Sequence, residues 1–142
     1  MPEVRTAEFI PYSKEQMFEL VNDVNAYPQF LPWCSAARVE RRLEHGIVAT
    51  LTVSKGPLQH SFTTENRNTG HERIEMALLE GPFKRFHGVW RFDEMPGGCN
   101  VSLDLDFEFS SGLLARALSK VFKLLTASMV EAFRDRARHL YG

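Results

Sequence analysis

The C-terminal region has the strongest helical pattern in the chain, because large apolar side chains recur there every three or four positions. No proline interrupts residues 110–140, and Ser110 or Ser111 can cap the N-terminus of a helix. The spacing predicts one long helix of roughly 40 Å, with one broad apolar face and one charged face. The apolar face comprises Leu114, Leu118, Val121, Leu125, Met129, Phe133, Ala137 and Leu140.

Between residues 36 and 109 the apolar period changes to two, which is typical of strands with one buried face. Six strands fit this region. They are separated by turns that the sequence predicts at residues 45–46, 56–57, 66–72, 81–82 and 95–98.

The N-terminal part adds one strand and two short helices. Residues 3–10 predict the strand, and Ser13 with Gln16 forms a capping box that starts the first helix. Pro28 can begin a second helical turn that Pro32 must end. The whole pattern predicts an α+β fold in a single domain, residues 1–142: a curved antiparallel sheet of seven strands, with the long helix laid across its concave side.

The segment between Asn25 and Cys34 concentrates aromatic side chains between two prolines. One interpretation is a lid packed on the core. The other is a hydrophobic cap over a ligand mouth or a partner surface. The predicted lid residues are Tyr27, Phe30, Leu31 and Trp33.

A strongly curved sheet and a straight helix cannot touch along their whole length, so the pattern predicts an apolar space between them. The alternative is a core that side chains fill at normal density. His60 shares the predicted inner face and could donate a hydrogen bond to a carbonyl of a bound molecule, or it could be an ordinary core or rim histidine. The predicted walls are Leu51, Val53, His60, Phe62, Met76, Phe86, Trp90, Leu103, Phe107, Leu125 and Met129.

Composition narrows the class of protein without identifying it. The chain has 142 residues, 44% hydrophobic and 25% charged, with a net charge of -1, which disfavours a generally basic nucleic-acid binder. Cys34 and Cys99 are too few for a disulfide framework and are expected to be reduced thiols. With no signal-peptide pattern and no run of about 18 apolar residues, we expect a cytoplasmic protein.

The sequence offers little catalytic chemistry. The five histidines lack metal-ligand spacing, and neither a phosphate-binding loop nor a nucleophile elbow is present, so we predict no catalytic residue and no metal site. Arg41 could guard the cavity mouth, although a solvent-reaching strand arginine is the simpler interpretation.

Two groups of basic residues could contact the phosphates of a nucleic acid, and the second could instead contact an acidic membrane. The first is Arg85, His87 and Arg91, which could instead pair with acids on the next strand. The second lies at the end of the long helix. Its members are Arg134, Arg136, Arg138 and His139.

Two motifs carry a family resemblance. The run from Val21 to Cys34, VNDVNAYPQFLPWC, and the run from Gly81 to Phe92, GPFKRFHGVWRF, resemble the coenzyme Q-binding branch of the START-like superfamily, the polyketide cyclase/dehydrase type. That branch includes bacterial ribosome association toxins. The resemblance covers essentially the whole chain and implies the helix-grip fold with a cavity for a hydrophobic ligand, an isoprenoid quinone in respiratory members.

Three functions follow as hypotheses. The first is a non-catalytic protein that binds ubiquinone or a similar lipid, without a covalent cofactor, and supports respiration, with peripheral contact to the inner membrane. The second is a toxin that binds the large ribosomal subunit and blocks subunit joining. The third, a cyclase or hydrolase, lacks a convincing acid–base pair.

Overall fold

The computed structural model describes residues 3–142, in which seven strands and three α-helices follow the predicted order. A 3₁₀ helix (Val24–Gln29) lies between the first α-helix and the second strand. The elements are β1 (Glu3–Ile10), α1 (Lys14–Asn22), β2 (Cys34–Leu43), β3 (Gly46–Lys55), β4 (Leu58–Thr69), β5 (Arg73–Glu80), β6 (Phe83–Met95), β7 (Gly98–Phe109), α2 (Gly112–Ala127) and α3 (Met129–Tyr141).

All seven strands form one antiparallel sheet in the order β1-β7-β6-β5-β4-β3-β2. β7 shows why the period-two pattern predicts this sheet well, because every second side chain is buried from Cys99 to Phe109. In register, Trp90 faces Leu103 and Leu51 faces Phe62. β1 and β2 are the two edges, and β2 carries two irregularities in its pairing with β3. The predicted seven-stranded antiparallel sheet is confirmed.

The predicted polar turn at residues 66–72 is too long. β4 continues to Thr69, and its last residues pair with β5, with Asn66 opposite Met76 and Asn68 opposite Ile74. The backbone hydrogen bonds of this ladder outweigh the low strand propensity of asparagine. Asn66 therefore lies on a strand, and its side chain is buried.

The first helix begins as the sequence predicts. The Ser13 hydroxyl accepts a hydrogen bond from the Gln16 backbone N–H, and the Gln16 side chain accepts one from the Ser13 N–H. Met17, Phe18, Leu20 and Val21 form its buried face.

The prediction of a single long C-terminal helix is wrong in one respect, because the helix breaks at Ser128. The Ser128 hydroxyl donates to the Leu125 carbonyl at 2.7 Å, and the Thr126 hydroxyl donates to the Phe122 carbonyl at 2.9 Å. These hydroxyls compete for carbonyl oxygens that the backbone of a regular helix would use, which bends the helix. Within residues 3–142, no helix is long and apolar enough to cross a lipid bilayer.

The bent helix approaches the sheet unevenly. α2 lies close to β1 and β7, and α3 lies close to α1, β1 and β7. Each half inserts one phenylalanine into the core. The Phe122 ring of α2 lies 4.7 Å from the Phe107 ring, and the Phe133 ring of α3 packs edge-on against Trp90 at 5.4 Å.

We expect Phe133→Ala to lower the free energy of unfolding by about 3–5 kcal/mol, because this fully buried ring contacts Tyr27, Phe30 and Trp90 and its removal leaves a cavity. Urea unfolding measures the change. Phe9→Ala is the matched control, since Phe9 is 47% exposed on β1 and should cost under about 1 kcal/mol. Equal losses in the two variants would contradict the proposed core.

Candidate functional site

Two small apolar cavities lie between the bent C-terminal helix and the strands β3 to β7. The inner cavity has a volume of about 40 Å³. It is enclosed by β3 to β7, by the bend of the C-terminal helix and by the segment around the 3₁₀ helix. Its lining residues are Val24, Tyr27, Trp33, Ala49, Leu51, Phe62, Thr64, Asn66, Met76, Phe86, Trp90, Leu103, Leu105, Phe122, Thr126 and Met129.

The outer cavity has a volume of about 30 Å³ and reaches the surface beside the exposed Lys55. It lies between the β3–β4 turn, the β5–β6 turn and one face of α2. Its lining residues are Val53, Lys55, His60, Phe62, Pro82, Phe83, Phe109, Leu118, Val121, Phe122 and Leu125.

Phe62 and Phe122 line both cavities and separate them, with ring centroids 6.3 Å apart. The backbone of the β5–β6 turn presses on Phe62: a Cβ added at Gly81 would lie 2.6 Å from the Phe62 Cβ. Only glycine allows this close approach. Movement of these two phenylalanine rings would join the two spaces into one channel that runs inward from the surface.

The structure gathers nearly all of the predicted wall residues around this interior. Leu51, Phe62, Met76, Phe86, Trp90, Leu103 and Met129 line the inner cavity, while Val53, His60, Phe62 and Leu125 line the outer one. Phe107 is the exception. It is fully buried behind the Phe122 ring and lines neither space. That any of these residues binds a ligand stays a prediction.

The aromatic segment predicted as a lid is a side wall of the inner cavity. Tyr27 and Trp33 line that cavity, and Leu31 is buried in the core. Phe30 packs on Phe133, and the Arg136 guanidinium lies 5.1 Å from its ring centroid. The segment therefore does not cover the outer cavity, where the interior reaches the surface.

Sequence reasoning missed the polar part of the inner cavity, which consists of Thr64, Asn66 and Thr126. Phe62 and Thr64 alternate on the inward face of β4, and continuing this alternation would have placed Asn66 on the same face. The predicted turn at residues 66–72 ended the strand too early for that. Thr126 could not be found this way, because a threonine on a helix usually bonds its own backbone, as this one does.

His60 and Arg41 lie away from the inner cavity. His60 is half-buried at the outer cavity, and Arg41 is exposed on β2, where it lines neither space. The simpler interpretation of Arg41 therefore holds. Among residues 3–142, no group of three or more histidines, cysteines or acids is placed to hold a metal ion.

The first predicted basic group is neutralised by neighbouring acids. Arg91 donates to Asp104 at 2.7 Å, Arg85 lies 3.3 Å from Glu108, and the His87 ring lies 2.8 Å from Glu75. The hydrogen bond from His87 lowers the pKa of Glu75. Cross-strand pairing, the alternative interpretation, therefore describes this face.

Most cations of the second predicted basic group also have polar or acidic partners. Arg134 lies 2.8 Å from Glu8, Arg138 lies 3.7 Å from Asp135, and Arg136 donates to Gln29. His139 is exposed at the end of α3.

α2 carries three cations on the charged face that the helical spacing predicts. Arg116, Lys120 and Lys123 are exposed, and none has a carboxylate within salt-bridge distance in the described part of the chain. α2 itself contains no acidic residue. Leu113 and Leu124 are 78% and 64% exposed on the same helix.

Tyr27 and the two cysteines are buried and hold their protons. Burial, followed by nearby Cys34 and Asp23, raises the pKa of Tyr27, whose hydroxyl donates to the Val21 carbonyl. Burial raises the pKa of the Cys34 thiol to about 11, and that of the Cys99 thiol to about 11. Both cysteines are free and buried.

Comparison with known proteins gives one family. The family described as polyketide cyclase/dehydrase and lipid transport matches residues 10–134. Ribosome association toxin RatA of Vibrio cholerae is 44% identical over 143 residues, which cover 100% of this chain and 99% of the relative. Coenzyme Q-binding protein COQ10 homolog B of Xenopus laevis is 28% identical over 99% of this chain and 59% of the relative.

Solved structures share the fold. The 18 kDa protein CC1736 of Caulobacter crescentus is 32% identical, with a TM-score of 0.79 over 100% of this chain and 99% of that one. The ZhuI aromatase/cyclase of Streptomyces sp. R1128 has a TM-score of 0.83 at 16% identity, over 96% of this chain and 93% of that one. At 16% identity, the likeness to the aromatase/cyclase concerns the fold alone.

The raised thiol pKa values predict slow alkylation of the folded protein at pH 8, with labelling only on unfolding. Because the folded state holds these protons more tightly, its stabilisation is present below about pH 9 and is lost as the pH rises through about 11. Mass spectrometry after iodoacetamide treatment measures labelling, and urea unfolding at pH 8 to 11 measures stability. Ser35→Cys, which adds an exposed thiol beside Cys34, is the labelling control. Rapid labelling of Cys34 in the folded protein would contradict its burial in the core.

Proposed function

The chain belongs to the polyketide cyclase/dehydrase and lipid transport family, and from that premise we propose that it associates with the large ribosomal subunit and prevents subunit joining. The observation that carries this proposal is the similarity to proteins named ribosome association toxins, 42% to 44% identical over the whole chain. The relative named for coenzyme Q binding is more distant, so the ribosome hypothesis takes precedence over the respiratory one. A ribosomal partner implies a cytoplasmic site of action.

α2 is the surface that we assign to this contact. Ribosomal RNA presents phosphates, and a cation already paired with a carboxylate gains little by exchanging that partner for a phosphate. Arg116, Lys120 and Lys123 recur at spacings of four and three, which places them along one side of the helix. By contrast, the arginines of β6 are bonded to acids of β7.

We expect the triple variant Arg116→Gln, Lys120→Gln and Lys123→Gln to reduce affinity for purified large subunits about tenfold or more near 0.1 M salt. The slope of log affinity against log salt should fall by about one for each phosphate contact removed. Co-sedimentation at several salt concentrations measures both quantities.

The control variant Arg73→Gln, Arg85→Gln and Arg91→Gln removes the same charge from cations that have acidic partners. If it weakens binding as much as the α2 variant, net charge rather than α2 governs the contact. If wild-type protein does not co-sediment at low salt, the ribosomal proposal is wrong. Sedimentation with anionic phospholipid vesicles alone would instead identify α2 as a membrane contact.

A second function is supported by the interior. We propose that the two cavities accept a neutral hydrophobic molecule, such as an isoprenoid quinone, without a chemical step. Sixteen side chains line the inner space, and all but Thr64, Asn66 and Thr126 are apolar or aromatic. Hydroxyl and amide groups of this kind do not exchange protons near neutral pH, which supports binding rather than acid–base catalysis. The two functions use separate parts of the molecule and are compatible.

Entry of such a ligand requires the interior to expand. Volumes of about 30 and 40 Å³ are far below the roughly 300–1,000 Å³ of pockets that hold a small-molecule ligand. Outward rotation of the Phe62 and Phe122 rings would join the cavities. Met76 and Met129, whose unbranched side chains repack easily, line the inner end.

Delipidated wild-type protein should bind decylubiquinone saturably, as measured by isothermal titration calorimetry. Val121→Trp, which fills the outer cavity, should weaken binding about tenfold or more because the channel is obstructed. Leu113→Trp places the same side chain on the exposed face of α2 and should leave binding unchanged. An affinity unaffected by Val121→Trp would place the ligand elsewhere.

A further inference from the structure

Three non-aromatic polar side chains line the inner cavity. Thr64 and Asn66 extend from neighbouring inward positions of β4, and Thr126 faces the same space from α2. The Thr126 hydroxyl donates to the Phe122 carbonyl at 2.9 Å, and the Tyr27 hydroxyl donates to the Val21 carbonyl, so both hydrogens are occupied. Apart from the indole N–H groups of Trp33 and Trp90, the remaining hydrogen-bonding capacity of the wall depends on the pair from β4.

Asn66 is 91% buried, since its exposed fraction is 9%. Its side-chain oxygen accepts a hydrogen bond from the Thr64 hydroxyl at 2.6 Å. Within residues 3–142, that is the only hydrogen bond of the Asn66 side chain, so the amide nitrogen carries two N–H groups without an acceptor. Among the described residues the fully buried side-chain atoms without a partner are Thr6 Oγ1 and Glu8 Oε2, so the Asn66 amide nitrogen keeps some accessible surface. Asn66 lies on the cavity wall, where an acceptor inside the cavity can reach that nitrogen.

The surroundings restrict the class of molecule that could supply the acceptor. None of the residues that line the inner cavity carries a charge, and the outer end alone has Lys55 and His60. A carboxylate or phosphate head placed inside would lose its hydration without gaining a counter-ion. A neutral carbonyl oxygen needs only the N–H that Asn66 offers.

We propose that Asn66 anchors the head of a neutral, carbonyl-bearing lipid that enters head-first. The carbonyl accepts from the Asn66 amide nitrogen, Thr64 holds the amide in orientation, and the tail runs between Phe62 and Phe122 to the outer cavity. This assignment rests on the cavity-binding function proposed above. It places the head at Asn66 rather than at His60, for which a ligand contact was one of the two interpretations of the sequence.

The test compares two probes that share a ten-carbon tail, decylubiquinone and decylbenzene, by isothermal titration calorimetry. Asn66→Leu removes the donor at similar side-chain volume. It should weaken the binding of decylubiquinone about three- to tenfold, because one hydrogen bond contributes about that much to affinity. Decylbenzene lacks a carbonyl, so the affinity for it should change by less than about twofold. Asn66→Ala, which adds no bulk, should show the same selective loss and guards against misfolding of the leucine variant.

Asn68→Leu is the matched control, since Asn68 lies two residues further along β4 and lines neither cavity. It should leave both probes unaffected. If Asn66→Leu weakens the binding of both probes equally, or of neither, Asn66 does not anchor the head, while cavity binding stands. If wild-type protein binds neither probe, cavity binding fails and the anchor fails with it.

Discussion

The packing of two phenylalanines from a bent helix against the sheet controls the interior of this protein. Phe122 contacts rings from β4, β6 and β7, and Phe133 contacts the 3₁₀ segment and Trp90. Because the two helical halves meet at Ser128, each ring points into a different part of the curved sheet. The bend leaves Thr126 and Met129 beside the inner cavity. The shape of the candidate binding site is thus set by where the helix breaks.

Alternation of apolar and polar residues was enough to predict the sheet and most of the cavity walls. A strand with one buried face fixes which side chains point inward, so Leu51, Phe62 and Trp90 could be placed from sequence alone. Phe107 has the same alternation, yet Phe122 covers it. Which inward side chain reaches a cavity depends on the helix position, and that position is not encoded in the strand pattern.

The errors arose where polar side chains act through local hydrogen bonds. Ser128 ends α2 by bonding the Leu125 carbonyl, although the apolar spacing continues across it. Asn66 lies in a strand because β5 supplies a pairing partner. The charged residues divide: pairing of Arg85 and Arg91 with acids on the next strand was already an interpretation of the sequence, whereas the lack of an acidic neighbour for the cations of α2 emerged only from the structure. The two candidate functions consequently depend on features that only the tertiary structure reveals.

The sheet is open, and its edge at β2 has a consequence for solubility. The 3₁₀ segment covers part of that edge, where the Val39 N–H donates to the Asn25 side chain. An exposed strand of ten residues could pair with the same strand of another molecule and begin aggregation. Here the pairing irregularities near Ala36 and Arg41 disturb the spacing of free N–H and C=O groups. Arg38, Glu40 and Arg42 add charges that would be desolvated in any such contact. β2 thereby resists edge-to-edge polymerisation even though the sheet never closes into a barrel.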